Sequence, residues 1–127
     1  MMALSRLKRR PEFLRVAGSG VKAVAPGLVL QALQRGDEAP PRVGFTASRR
    51  VGGAVERNRA KRRLRAAAAE VIAGHARRGH DYVLIARRAT LTRSYQTLVK
   101  DLMGALKRLD LYNGAGTGRT ESRARAK

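Results

Sequence analysis

The segment 49–65 carries eight Lys and Arg residues and a single acid, Glu56, in a sequence that favours an α-helix. Ala, Leu and Arg are good helix formers, and the helical pattern runs from Ala54 to about Ala73. A helix with this density of charge can pack on a protein only through a narrow apolar stripe. With an advance of about 100° per residue from Val55, such a stripe is formed by Ala60, Leu64, Ala67, Ala68 and Val71. We predict that this stripe packs on a sheet and that the charges face outward.

The charged side chains cover the remaining surface of this helix. An arc of roughly 140° beside the stripe holds Arg57, Asn58, Lys61, Arg62 and Arg65, and the opposite flank holds Arg59 and Arg63. Guanidinium groups bind phosphates through paired hydrogen bonds, and an amide adds a donor and an acceptor for a ribose hydroxyl or a base edge. Rigidly spaced positive charge of this kind predicts binding to nucleic acid.

Just before the helix, Arg49 and Arg50 are predicted to end a strand. Gly52 and Gly53 then give the backbone freedom to approach a ligand. Together they predict a phosphate cradle at the helix N-terminus, where backbone N–H groups attract anions, and the alternative is that Gly52 and Gly53 only form a turn.

A solvated surface helix and a membrane-surface helix are the alternatives to nucleic acid binding for the charged segment. A merely solvated helix usually interleaves acids with its cations, whereas Glu56 is the only acid before Glu70. A membrane-surface helix needs an apolar face of Trp, Phe or Leu, and here that face is mostly Ala. Both alternatives are therefore weaker than nucleic acid binding.

The composition agrees with a polyanionic partner. The chain has 127 residues, with 28 Lys and Arg against nine Asp and Glu, which gives a formal net charge of +19. Because it has no Cys, disulfides, thiolate metal sites and thiol nucleophiles are excluded. The N-terminus lacks the apolar region of a secretory signal, and no stretch has the length of a transmembrane helix. A cytoplasmic protein without membrane contact is predicted.

Apolar periodicity and turn residues predict the order of the secondary structure elements. Helices are expected over residues 11–17, 54–73 and from Ser94 onward, and strands over 21–25, 28–33, 43–48 and 81–86. The last helix repeats apolar residues at helical spacing, at Leu98, Leu102, Met103, Leu106 and Leu109. This is an α+β fold of order αβββαβα in one domain, residues 1–112, with helices over a sheet. Residues 113–127 lack apolar side chains able to anchor them and are predicted to form a disordered basic tail.

The sequence offers little for protein-based catalysis. His75 and His80 flank a turn that contains Arg77 and Arg78, and Asp81 is expected only to cap that turn. No paired carboxylates, metal-ligand spacing or Ser-His arrangement stands out, so no catalytic residue is predicted.

Five aromatic residues are present, and four of them are predicted to be structural: Phe45, Tyr82, Tyr95 and Tyr112. Phe13 has two possible roles, as a platform on which a base stacks or as a core residue.

Residues 52–65, GGAVERNRAKRRLR, resemble the RNR signature of the bacterial ribonuclease P protein family. Three further pieces match that family in order: RRPEF at 9–13, RVGFTASRR at 42–50 and GHDYV at 79–83. The resemblance covers about residues 5–110. It implies an αβββαβα sandwich in which a left-handed βαβ crossover carries the RNR helix.

The resemblance also implies a function and a set of site residues. In that family a large RNA with bound Mg²⁺ cuts the 5′ leader from precursor tRNA, and the protein needs no cofactor or obligate protein partner of its own. Residues carried over as contacts to the catalytic RNA are Arg57, Asn58, Arg59, Lys61, Arg62 and Arg65. The cleft for the single-stranded leader would be lined by Phe13, Gln31, Thr46 and Ser48.

One departure from the family pattern concerns the leader. Ala17 and Gln31 occupy positions where the family often has aromatic residues. We therefore expect weaker base stacking here and a larger share of binding from backbone electrostatics. On the sequence alone, two competing functions stay open, a structural ribosomal protein and a stand-alone protein nuclease.

Overall fold

The computed structural model describes residues 4–112, so the predicted basic tail at 113–127 lies outside the described residues. The helices are α1, Arg10–Ser19, α2, Ala54–His75, and α3, Tyr95–Arg108. The strands are β1, Ser5–Arg6, β2, Val21–Val24, β3, Leu28–Gln34, β4, Arg42–Thr46, and β5, His80–Ala86. A 3₁₀ turn, Arg88–Leu91, precedes α3. The predicted α+β class and all seven predicted elements are confirmed.

Two details of the predicted order are wrong. Strand β1 was not predicted, because two residues are too few to give a period-2 pattern. Strand β4 ends at Thr46, so Arg49 and Arg50 do not end a strand but lie in the exposed turn that follows it.

The five strands form one sheet in the order β1-β4-β5-β3-β2. β1 is parallel to β4 and β4 is parallel to β5, whereas β3 pairs antiparallel with both β5 and β2. α2 connects β4 to its parallel neighbour β5, so the charged helix lies in a βαβ crossover.

The two faces of the sheet have different covers. On one face α2 and α3 enclose the main core. The predicted stripe of α2 is confirmed, because its members are all buried: Ala60, Leu64, Ala67, Ala68 and Val71. In α3, Leu98, Leu102 and Leu106 have no exposed surface, and Ser94 caps the helix by accepting the N–H of Thr97 at 3.2 Å.

Helix α1 covers only part of the opposite face. A smaller apolar cluster joins it to the sheet, formed by Leu7, Val16 and Val83 with Phe13, Leu33 and Ile85 packed against them. The rest of this face is not covered by a helix.

The N-terminal end of α2 extends beyond the core. Its buried residues begin at Ala60, and no residue from 54 to 59 is buried. A helix of 22 residues is about 33 Å long, whereas a five-residue strand spans about 17 Å. The helix is therefore longer than the sheet that supports it, and its first turns carry no buried side chain.

Candidate nucleic-acid interface

The first half of α2 presents the predicted RNA-binding residues without anionic partners among residues 4–112. Within residues 4–112, none of them forms an ion pair or a side-chain hydrogen bond: Arg57, Asn58, Arg59, Lys61, Arg62 and Arg65. Four of these are exposed, whereas Arg57 and Lys61 are half-buried. These cations are available for an external anion.

Glu56, the acid of this charged segment, is hydrogen-bonded to the backbone at the N-terminus of α2. Oε1 of Glu56 accepts the backbone N–H of Gly53 at 3.0 Å, as an acid at the third helical position does in a capping box. The cations beside it therefore have no acidic partner here. The same bond argues against the predicted phosphate cradle at Gly52 and Gly53, because the Gly53 N–H already has an anionic acceptor.

Two arginines from different elements flank one aromatic ring. The guanidinium carbon of Arg65 lies 5.9 Å from the centre of the Phe45 ring, and that of Arg6, in β1, lies 5.7 Å from it. Cation–π contacts of this length hold the charges in place without neutralising them. Arg6 therefore extends the basic surface of α2 to the edge of the sheet. Sequence reasoning missed it because β1 was not predicted.

Other arginines are bound to backbone carbonyl groups. The guanidinium donors and their acceptors are Arg77 to Asp110 at 3.1 Å, Arg78 to Glu38 at 2.8 Å, Arg87 to Ala25 at 2.6 Å, Arg108 to Val24 at 2.7 Å, and Arg63 to Arg93. Each bond joins two elements or loops that are distant in sequence. These cations, Arg63 of α2 among them, stabilise the fold, whereas the six predicted RNA-binding residues of α2 make no such bond.

The uncovered part of the α1 face forms a second candidate surface, here called the sheet cleft. It is bordered by Phe13 of α1 and floored by Gln31, Thr46, Val29 and Ile85, all of which are half-buried. Strand register places these floor residues on one face, since Gln31 pairs with Val83, and Thr46 and Val29 pair with Ile85. Three of the four residues predicted for the leader thus lie together.

The fourth predicted residue, Ser48, is exposed and lies beyond the end of β4. Its Oγ accepts the backbone N–H of Arg50 at 3.3 Å. Ser48 and Arg50 border a groove of about 420 Å³. The same groove is also lined by Ile85, Arg87 and Arg88. The sequence does contain a pattern that indicates this groove. The parallel strands β4 and β5 are each followed by an Arg-Arg pair, at 49–50 and 87–88, so both pairs lie at the same end of the sheet.

Asp81 does more than cap a turn, and that prediction is wrong. It belongs to β5, and its side chain has no exposed surface. Its carboxylate accepts hydrogen bonds from Arg35 at 2.8 Å and from Arg42 at 2.8 and 2.7 Å. Burial raises the pKa of Asp81, but hydrogen bonds from Arg42 and Arg35 outweigh it and hold the pKa below its ordinary value. Asp81 is therefore a buried anion fixed by two cations.

The remaining polar groups include His75 and His80, which make local contacts. Among residues 4–112 there is no group of three or more His, Cys, Asp or Glu side chains that could hold a metal ion. The ring of His75 stacks on Tyr112 at 4.9 Å between centres, and His80 contacts the carbonyl of Arg78 through Nδ1 at 2.8 Å. In the same part of the chain, no helix has the length and hydropathy needed to cross a bilayer.

Comparison with known proteins gives one consistent family. A sequence profile of the family described as Ribonuclease P matches residues 1–110. The chain is 53% identical over 110 residues to the Ribonuclease P protein component of Paramagnetospirillum magneticum, an alignment that covers 84% of this chain and 83% of that protein. It is 50% identical over 103 residues to the corresponding protein of Gluconacetobacter diazotrophicus, with coverage of 81% and 89%. The solved RNase P protein from Thermotoga maritima is similar with a TM-score of 0.70 and 27% identity, over 82% of this chain and 96% of that one.

Proposed function

Because the chain belongs to the ribonuclease P protein family, we propose that α2 binds the catalytic RNA of ribonuclease P and that the sheet cleft binds the 5′ leader of precursor tRNA. Membership makes the chain the protein subunit of an endoribonuclease that acts in tRNA 5′ processing, with the ribonuclease P RNA as its partner. Our proposal concerns which of its residues bind the catalytic RNA and which bind the leader.

The observation that carries the proposal is the set of cations on α2 that have no anionic partner within residues 4–112. A phosphate bound by such a side chain displaces condensed counterions, and this release drives association. Asn58 lies among these cations, where its amide can bind a ribose hydroxyl or a base edge. Arg49 and Arg50, exposed in the turn before α2, add charge at the same end of the helix.

The sheet cleft fits a single strand better than a duplex. Its apolar floor, Val29 and Ile85, and the ring of Phe13 offer surfaces for bases, and Gln31 and Thr46 offer polar groups. Arg50 and Arg88 border the groove next to it and can bind the sugar-phosphate backbone.

In this proposal the protein binds and the RNA cleaves. The expectation that Mg²⁺ is held mainly by the RNA subunit stays a prediction.

Reconstitution of the protein with the catalytic RNA at low Mg²⁺ tests the proposal, with leader removal measured with and without the protein. We expect cleavage to require the RNA and to increase when the protein is added. Cleavage by protein freed of all RNA would instead indicate a protein nuclease. Purification with ribosomal RNA, and not with a separate RNA of several hundred nucleotides, would indicate a ribosomal protein.

A further inference from the structure

We infer that Glu12 and Asp81 are positioning residues for the sheet cleft. Through Arg42, these two acids hold α1, and with it Phe13, at a fixed place on the sheet. This inference rests on the proposed binding of the leader in that cleft. Neither acid borders the cleft itself, so both act through other side chains.

The anchor of this arrangement is Asp81. Arg42 donates to both of its oxygens, from Nε to Oδ1 at 2.8 Å and from Nη2 to Oδ2 at 2.7 Å. Arg35 donates to Oδ1 at 2.8 Å and also to the carbonyl groups of His80, Ala39 and Pro40. Because the guanidinium of Arg42 is planar and bound at two points, its direction on the sheet is fixed.

Glu12 connects α1 to that fixed guanidinium. Its Oε1 accepts the backbone N–H groups of Lys8 at 3.0 Å and Arg9 at 3.1 Å, which caps α1. Its Oε2 accepts a different donor, Nη1 of Arg42, at 3.3 Å. One carboxylate therefore both begins the helix and ties it to β4.

On the sheet face that α1 partly covers, the side chains of β4 explain why the Glu12–Arg42 contact matters for the cleft. Successive residues on one face are Arg42, Gly44 and Thr46. Arg42 binds Glu12, Gly44 contacts the ring of Phe13, and Thr46 lies on the cleft floor. Phe13 directly follows Glu12, so a shift of Glu12 along the strand moves the ring relative to the floor.

Arg15 provides a weaker second tie on α1. Its Nη2 lies 3.9 Å from Oδ2 of Asp81, and its side chain is 55% exposed. Residues 12 and 15 are one helical turn apart, so α1 is held to the Asp81 cluster at two successive turns.

The test compares Glu12→Gln with Glu56→Gln in the reconstituted holoenzyme. In Glu12→Gln the amide oxygen can still cap α1, but its NH₂ group cannot accept from Arg42. Glu56 caps α2 in the same way and has no ion pair to an arginine within residues 4–112, so it matches both the charge change and the capping role. The measured quantity is the ratio of the affinities for precursor and mature tRNA at one salt concentration.

We expect Glu12→Gln to lower this ratio by about threefold or more, a coupling typical of residues in one network, and Glu56→Gln to leave it unchanged. In a Phe13→Ala background, Glu12→Gln should have no further effect on the ratio. Arg15→Gln, which removes only the exposed tie, should lower the ratio by less and supplies the second variant if Glu12→Gln folds poorly.

The outcomes separate this inference from the proposed function. If Phe13→Ala lowers the ratio while Glu12→Gln and Arg15→Gln do not, or if Glu12→Gln and Glu56→Gln act equally, the inference is overturned and the leader-binding proposal stands. If Phe13→Ala itself leaves the ratio unchanged, the leader-binding role of the cleft fails, and the inference fails with it.

Discussion

The ring of Phe13 lies directly against Gly44: a Cβ atom at residue 44 would be 2.5 Å from Cζ of Phe13. Gly44 is buried in the middle of β4, where glycine is otherwise a poor strand residue. The missing side chain is what lets α1 approach the sheet this closely.

We predict that Gly44→Ala destabilises the protein by about 1–3 kcal/mol, because the added methyl group overpacks the Phe13 contact. Urea denaturation measures this change. Gly18→Ala is the matched control, since a Cβ at that position of α1 meets no atom within 4 Å. It should be neutral or stabilising by up to about 1 kcal/mol. Equal effects of the two substitutions would contradict the close contact.

Alanine substitutions at Arg57 and Lys61 are each predicted to weaken binding to the catalytic RNA and to leave the circular dichroism spectrum unchanged. Each lost phosphate contact should reduce the slope of log affinity against log salt by about one unit. Arg78→Ala removes the same charge from a side chain bound to the Glu38 carbonyl, and should lower stability more than RNA affinity. Asn58→Ala should weaken binding with little change in slope, and a slope change like that of Arg57→Ala would argue against its uncharged role.

Arg6→Ala is predicted to weaken RNA binding about as much as Arg65→Ala, because both guanidinium groups lie on the Phe45 ring and face the same surface. Titration of the RNA with each variant at two salt concentrations gives the comparison. Lys100→Ala serves as the control for charge, because Lys100 is exposed on α3, which packs against β2 and β3 at the other end of the sheet from β1. An Arg6 variant with wild-type affinity would restrict the RNA-binding surface to α2.

The free energy of unfolding is predicted to fall as the pH drops below about 4, the region where unfolded Asp and Glu titrate. Backbone N–H groups of Arg9 and Lys8 hold the pKa of Glu12 below its ordinary value, and the pKa of Asp81 is also lowered. The unfolded chain therefore binds more protons there, so the stabilisation is present above that pH and is lost on acidification. Thermal melts between pH 6 and 3 should show a smaller loss for Glu12→Gln than for the wild type, and equal losses would contradict the prediction.

Gln31→Tyr is predicted to tighten binding of precursor tRNA by roughly 1–3 kcal/mol per base engaged, because it adds a stacking surface to the cleft floor. Mature tRNA, which lacks the leader, should bind as before. The test is to measure the affinities of the reconstituted wild-type and Gln31→Tyr holoenzymes for precursor and for mature tRNA. A gain that is equal for the two RNAs would show that residue 31 does not contact the leader.

Much of the fold follows from local patterns in the sequence. The cap at Ser94, the repeat of Leu98, Leu102 and Leu106, and the apolar stripe of α2 are decided by residues within a few turns of one another. Strand β1 could not be predicted in this way, because it is defined only by its pairing with β4.

The candidate site likewise has one part that the local sequence predicts and one part that depends on tertiary contacts. The cations of α2 are adjacent in sequence, and their exposure follows from the position of the stripe. The hydrogen bonds that Arg35, Arg42 and Glu12 form in the cluster around Asp81 join residues 30 to 46 positions apart, so the local sequence around Asp81 resembles that of an ordinary turn. A buried charge can be recognised only when the strands bring its partners together.

The overhanging end of α2 changes how an RNA can meet it. Side chains two residues apart on a helix point about 200° away from each other, so Arg57 and Arg59 face nearly opposite directions on a segment with no buried side chain. If α2 binds RNA as proposed, this end acts as a wedge that touches RNA on both sides. The protein can then hold two separate RNA segments at a fixed distance, set by the width of a single helix.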